Sequence, residues 1–284
     1  MFNIYLENKD GEVLNFGAPH PYTITEFSGL NPPKAAINTS TTATLDGGMF
    51  NSAKLQMRSI NLAFAIEENA EENRLAIYDV VQPKNPIRLY YQSEMLDIFI
   101  DGYVEEISPS YFAKKQIVTM SILCPFPYFK SAQEVVNELS SVIKKFHFPF
   151  ASTAEKEIIF GEVDTLTSVT VLNRGSVETG LTFVLYAKHE IVNPKIFNYQ
   201  TSEFLAISTT MQTGDQITIT TGQGNKTITL LRNGVETNIF NLLNKNSTWL
   251  QLSISGGVFV YEVDEGNPTD LIVDIYHFDL FEGV

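Results

Sequence analysis

This chain of 284 residues has one cysteine, one tryptophan and four histidines, so it is short of the side chains that redox, stacking and metal chemistry rely on. A lone Cys124 excludes an internal disulfide and any metal cluster built from cysteines. It sits in an alternating segment just before a proline, where a buried structural thiol is the expectation. His20, His147, His189 and His277 are far apart, and none shows the i, i+4 spacing of a helical zinc pair. No apolar run approaches the ~20 residues needed to cross a bilayer, so no membrane insertion is expected. The start, Met1 to Glu7, lacks the basic residues and apolar block of a signal peptide, which predicts synthesis and folding in cytoplasm.

Positive charge is also scarce. Nineteen Lys and Arg face 33 Asp and Glu, a net charge of −14. The deficit is spread along the chain, −5 through Phe148 and −9 after it. A surface that grips nucleic acid needs clustered cations to replace phosphate counterions, and Lys114-Lys115 and Lys144-Lys145 are too small for that. What remains is ordinary globular composition: 44% hydrophobic and 18% charged residues rule out disorder, and the length suits about two domains.

The first 130 residues read as linked β and turn signals. Phe27-Ser28-Gly29-Leu30-Asn31-Pro32-Pro33 comes early. Two long segments, Lys34 to Thr44 and Phe50 to Glu67, then flank the hairpin loop Leu45-Asp46-Gly47-Gly48-Met49. In the second, Ile60, Leu62, Phe64 and Ile66 alternate with Ser59, Asn61, Ala63 and Ala65, which sets one apolar row against a core. The outer part, Asn38 to Thr44, is β-prone yet polar; such a tip suggests an arm that reaches another subunit.

Asn69-Ala70-Glu71-Glu72 has the form of a helix start, with Asn69 as cap and Glu72 reaching back, and Pro83 and Pro86 end the helix near Gln82. Ile87 to Tyr91, Leu96 to Ile107 and Gln116 to Leu123 read as further strands. Ile122-Leu123-Cys124-Pro125-Phe126-Pro127-Tyr128-Phe129-Lys130 closes the stretch. The expectation for 1–130 is a mostly antiparallel barrel or sandwich-like domain with one helix and a long hairpin arm.

Ser131-Ala132-Gln133-Glu134 again has capping-box spacing and predicts a short helix to about Lys145, with an extended strand as the alternative given its β-branched residues. A connecting segment over 131–150 would end at the stiff Phe148-Pro149-Phe150. Over 151–284, eight or more short alternating strands separated by Gly- and Asn-rich turns predict a two-sheet sandwich of jelly-roll or lectin-like type.

Signals for chemistry are thin. Gly222-Gln223-Gly224-Asn225-Lys226-Thr227 lacks the spacing and following helix of a phosphate loop, so a hairpin turn is expected. Trp249 invites a sugar-stacking role, but one Trp in an alternating strand reads first as packing. Asp264-Glu265-Gly266-Asn267-Pro268-Thr269-Asp270 offers oxygens without calcium-loop spacing. No motif couples a nucleophile with His and an acid. No catalytic, cofactor-binding or metal residue is assigned, and no enzyme activity or cofactor is expected.

Taken in order, the signals of the first 130 residues, followed by a β-rich second half, resemble the distal tail protein family of long, non-contractile-tailed bacteriophages. The resemblance implies a structural virion protein. Its first domain would build a ring, most often six-fold, joining the tail tube to the tail tip and host-adhesion device. Its second would be a galectin-like sandwich. The implied partners are further copies of the chain, the tube protein and tip proteins, with DNA passing through the ring without specific binding. The rival from another class is a carbohydrate-binding adhesion module that recognises host cell wall.

Overall fold

The computed structural model describes residues 2–44, 46–138, 140–144, 161–165 and 168–284. The chain is mostly β and forms two compact units. The first comprises Met1–Ala132 and Leu280–Val284, the second Gln133–Asp279.

The first unit is built on one antiparallel sheet. Its strands run in the order Val13–Asn15, Asn3–Asn8, Pro86–Gln92, Asp97–Pro109, Ile117–Cys124, Arg58–Ile66 and Tyr22–Ser28. Phe129–Ser131 pairs with the Asp97–Pro109 strand on one side and with Leu280–Phe281 on the other. Alternation sets the core row: in Arg58–Ile66 the residues Ile60, Leu62, Phe64 and Ile66 are buried, while Ser59 and Asn61 are exposed and only Ala65 of the opposite row is also buried. The sheet curls over its own core, because Phe16, after the strand at one edge, packs on Phe64 at 5.0 Å and on Tyr22 at 6.4 Å, which opens the strand at the other edge. The α-helix Ala70–Val80 packs beside Val13–Asn15 and Arg58–Ile66 and adds Ile77 to that core.

The helix forms where expected, but not with the expected cap. Asn69 adopts left-handed backbone (φ 44°, ψ 51°), and its side chain makes no cap bond. A capping side chain needs extended backbone to turn back on the first N–H groups. Here Asn73 Nδ2 donates instead to the Glu68 carbonyl at 2.6 Å.

The helix expected from Ser131 is absent among the described residues. The extended alternative holds: Val135–Glu138 is the edge strand of the second unit's larger sheet, and Ser140–Lys144 pairs with Gly161–Thr165. Ser131 itself is already paired with Ile98, so it has no freedom to cap. Leu139, Lys145 and Phe148-Pro149-Phe150 lie outside the described residues.

The second unit is a sandwich of a six-stranded and a four-stranded sheet. The larger runs Val135–Glu138, Leu271–His277, Thr182–Ala187, Gln216–Gly222, Asn225–Arg232 and Val235–Asn238. The smaller runs Ser168–Val171, Gly257–Glu262, Lys195–Asn198 and Glu203–Ala206. Their inner faces share one core: Phe183, Leu185, Ile217 and Ile275 from the larger sheet meet Ile196, Leu205 and Phe259 from the smaller. Phe183 and Phe259 meet edge to face at 5.8 Å, an arrangement aromatic quadrupoles favour.

Candidate functional site

Two features of the first unit stand out because the fold leaves them unfinished. The first is the hairpin Ala35–Ser40 with Met49–Leu55. Its strands pair with each other, from Ala35↔Leu55 to Ser40↔Met49, and among the described residues with no other strand. Gln56 N donates to Lys34 O at 2.9 Å and closes the base. Polar rungs follow: Asn38 Nδ2 to Ser52 Oγ at 3.0 Å and Ser40 Oγ to Asn51 Oδ1 at 3.3 Å. Yet Ile37, Met49 and Phe50 are each 60% or more exposed. A lone two-stranded hairpin is marginal in water, and both edges here keep unpaired backbone groups.

The arm leaves the sheet through a glycine that nothing else can replace without strain. Gly29 has φ +91°, and a Cβ there would stand 2.3 Å from the Ser59 carbonyl oxygen. The long second segment of the expected hairpin is broken at Gln56-Met57: its outer half belongs to the arm and Arg58–Ile66 to the sheet.

The second feature is the sheet's outward face. Register places Glu26, Ala63, Thr119 and Ser108 in one row across four strands, and Ser28, Asn61, Ser121 and Glu106 in the next. A bulge at Glu105 adds its carboxylate, which accepts from Ser121 Oγ at 3.1 Å. Glu106 accepts from Ser108 Oγ at 2.6 Å. These rows hold three carboxylates, short polar side chains and no Lys or Arg. Antiparallel sheets commonly cover one face and leave the other to water, so solvation explains the polarity; the one-sided charge is the added fact.

The residues weighed for chemistry are not brought together. Cys124 is buried in the first core, and burial pushes its thiol up to about 12, far from a reactive thiolate. Trp249 lies just before Gln251–Leu252 and is half-buried; Phe240 packs on it at 5.5 Å and Lys226 Nζ stands 5.2 Å from its ring centre. Gly222 to Thr227 is the turn between two paired strands, as expected. In the Asp264 to Asp270 loop, Asp264 accepts from Asn193 and Asn267 caps a short 3-10 turn. Among the described residues no group of three or more His, Cys, Asp or Glu is placed to hold a metal ion, and no helix is long and apolar enough to cross a membrane. The acidic face went unread because it exists only once four strands are in register.

Comparison with known proteins agrees with this architecture. Residues 174–274 match the family described as siphovirus-type tail component, C-terminal domain. No curated protein sequence matches the chain. Among solved structures, the Dit protein of phage SPP1, described as a paradigm of the hub adsorption apparatus in phages infecting Gram-positive bacteria, is similar over 99% of both chains, with a TM-score of 0.68 and 15% identity. Chains from the phage p2 baseplate in its activated conformation, one structure with calcium and one with strontium, are each 14% identical with a TM-score of 0.52, covering 97% of this chain and 98% of theirs. Residues 174–274 thus carry a match to the siphovirus-type tail components, and 99% of the chain shares the fold of the Dit hub protein.

Proposed function

We propose that this chain is the structural hub of a siphophage tail: six copies close into a ring at the end of the tail tube, and the tip and host-adhesion proteins mount on that ring. The observation that carries the reading is the unmated arm, in a chain whose fold is that of a hub protein. One heterologous contact repeated around an axis closes a ring when its rotation divides a full turn, so a single arm and a single acceptor surface suffice. The acidic outward face of the sheet suits the wall of a passage for DNA. The two rows around Glu26, Glu105 and Glu106 hold no Lys or Arg and offer no counterion release, and Arg88 and Lys130 further across the sheet are paired with Asp101, so a polyanion slides past unbound. The site of action is the virion tail, and the role asks for no catalysis and no cofactor.

The rival, a cell-wall carbohydrate module, asks for an open aromatic platform. Trp249 is half-buried under Phe240 and Lys226, and Lys195 Nζ covers Phe197 at 4.0 Å and Phe204 at 4.5 Å on the smaller sheet. The test is electron microscopy of the purified chain, alone and with its tube protein. Six-fold rings with a central opening are expected; single particles in both samples would refute the hub.

A further inference from the structure

Arg58 is 3% exposed, yet among the described residues no carboxylate hydrogen-bonds its guanidinium. It donates instead to four backbone carbonyls: from Nε to Pro127 at 2.8 Å, from Nη1 to Gly29 at 2.6 Å and Asn31 at 2.7 Å, and from Nη2 to Glu282. Its face rests on the Phe129 ring at 4.7 Å. Arg58 opens the first strand after the arm, and Gly29 and Asn31 belong to the segment that leads into it. The cation therefore ties both roots of the arm to two other segments.

One of those segments arrives from far along the chain, 224 residues away. Leu280 and Phe281 pair with Lys130 and Phe129. Val284 N then donates to Leu30 O at 3.2 Å. Gly283 lies so close that a Cβ would stand 3.0 Å from Leu30 O and from the Pro32 ring. Leu280–Val284 thus lies against the same few residues from which the arm departs, and everything in the second unit is translated before it.

We infer that Leu280–Val284 is a latch for the arm: docked under Arg58, it fixes the direction in which the arm leaves the sheet, and it withholds a fixed arm until the second unit has been made. Direction matters because the arm is a lever. Six residues span about 20 Å at ~3.3 Å each, so an error of ~10° at the base moves the far end by about 3.5 Å, close to the rise of one residue along a strand and so to one step of register. An arm that wanders this far cannot hold register with an acceptor strand. The consequence for assembly rests on the proposed pairing of copies through the arm; the latch itself does not.

Two variants of the full chain test it: deletion of Leu280–Val284, and Arg58→Lys, which keeps the charge but not the planar fork that reaches four carbonyls. Hydrogen exchange read by mass spectrometry is compared over residues 29–34 and 54–58 and over the inner pairing of 60–65 with 117–122. The latch predicts about 10- to 100-fold faster exchange at the arm's base in both variants, with the inner strands still protected. Unchanged exchange at the base in either variant overturns it. So does loss of protection across the whole first sheet, which would make the segment a general stabiliser. The mass of each variant in solution is read alongside, with at least a tenfold drop in assembled material expected. If the parent itself stays single, pairing through the arm fails while the exchange data still decide the latch.

Discussion

The two units solve the same problem differently. In the second, two sheets face each other and strands alternate between a shared core and the outer faces: Leu271–His277 and Gln216–Gly222 bury every other residue. The first has one curled sheet, one helix, a polar outer face left bare and an arm that pairs with nothing else among the described residues. A sandwich is complete as a single copy. The first unit is complete only in its core, and its arm and outer face are left unpacked among the described residues.

The largest effect expected on that contrast is in the sandwich core. Phe183 is fully buried between the sheets, so Phe183→Ala should cost the second unit about 3–5 kcal/mol and leave the first unit's thermal transition in place. A shift of both transitions together in calorimetry would show that the units unfold as one. Gly29→Ala should act on the other side. The left-handed backbone alone costs about 1–3 kcal/mol with a Cβ, and the Ser59 carbonyl adds a clash. Denaturation of the first unit at lower urea, with the second unmoved, is the expected reading.

A pH test separates the units more finely. The His277 side chain is fully buried at the end of a sandwich strand, with Nε2 3.4 Å from Asp279 Oδ1 and the Leu172 backbone also beside the ring. Burial pushes its pKa below the ordinary 6.5, against the opposing pull of Asp279. The unfolded chain then takes up a proton more readily than the folded one. The contribution is therefore complete above pH 6.5 and is lost as the pH falls through the ordinary histidine range and below. The second unit's melting temperature should drop on acidification, less so in His277→Gln and more so in Asp279→Asn. A drop of equal size in all three chains would place the titration elsewhere.

Much of this fold was legible because alternation is a local signal. The apolar row Ile60, Leu62, Phe64 and Ile66 needed no knowledge of its neighbours, and the polar tip at Asn38 to Thr44 marked the arm. Legibility failed where long-range pairing overruled local preference. The cap-like Ser131 to Glu134 spacing lost to strand pairing, and Asn69 gave up its capping role by adopting left-handed backbone. The site was legible in part. Glu26, Glu105 and Glu106 share a face only through register and two bulges, at Thr25 and Glu105. Arg58 gave no sign of its role, since its partners are carbonyls, which every residue carries.

A smaller effect, on binding rather than stability, probes the bare face. Glu26→Lys with Glu106→Lys should leave the fold intact, because both positions point to water. The doubly substituted assembly should retain double-stranded DNA at low salt and release it as salt rises, where the parent retains none. Equal retention by both would remove the face from the passage.

The claim on which the rest depends is that the arm joins copies of the chain. The most direct measurement is the solution mass of the parent beside a variant in which Asn38 to Met49 is replaced by a short turn. The parent should run at six times the chain mass of 31.8 kDa and the shortened chain as a folded single copy. A shortened chain that forms the parent's ring equally well would contradict the account.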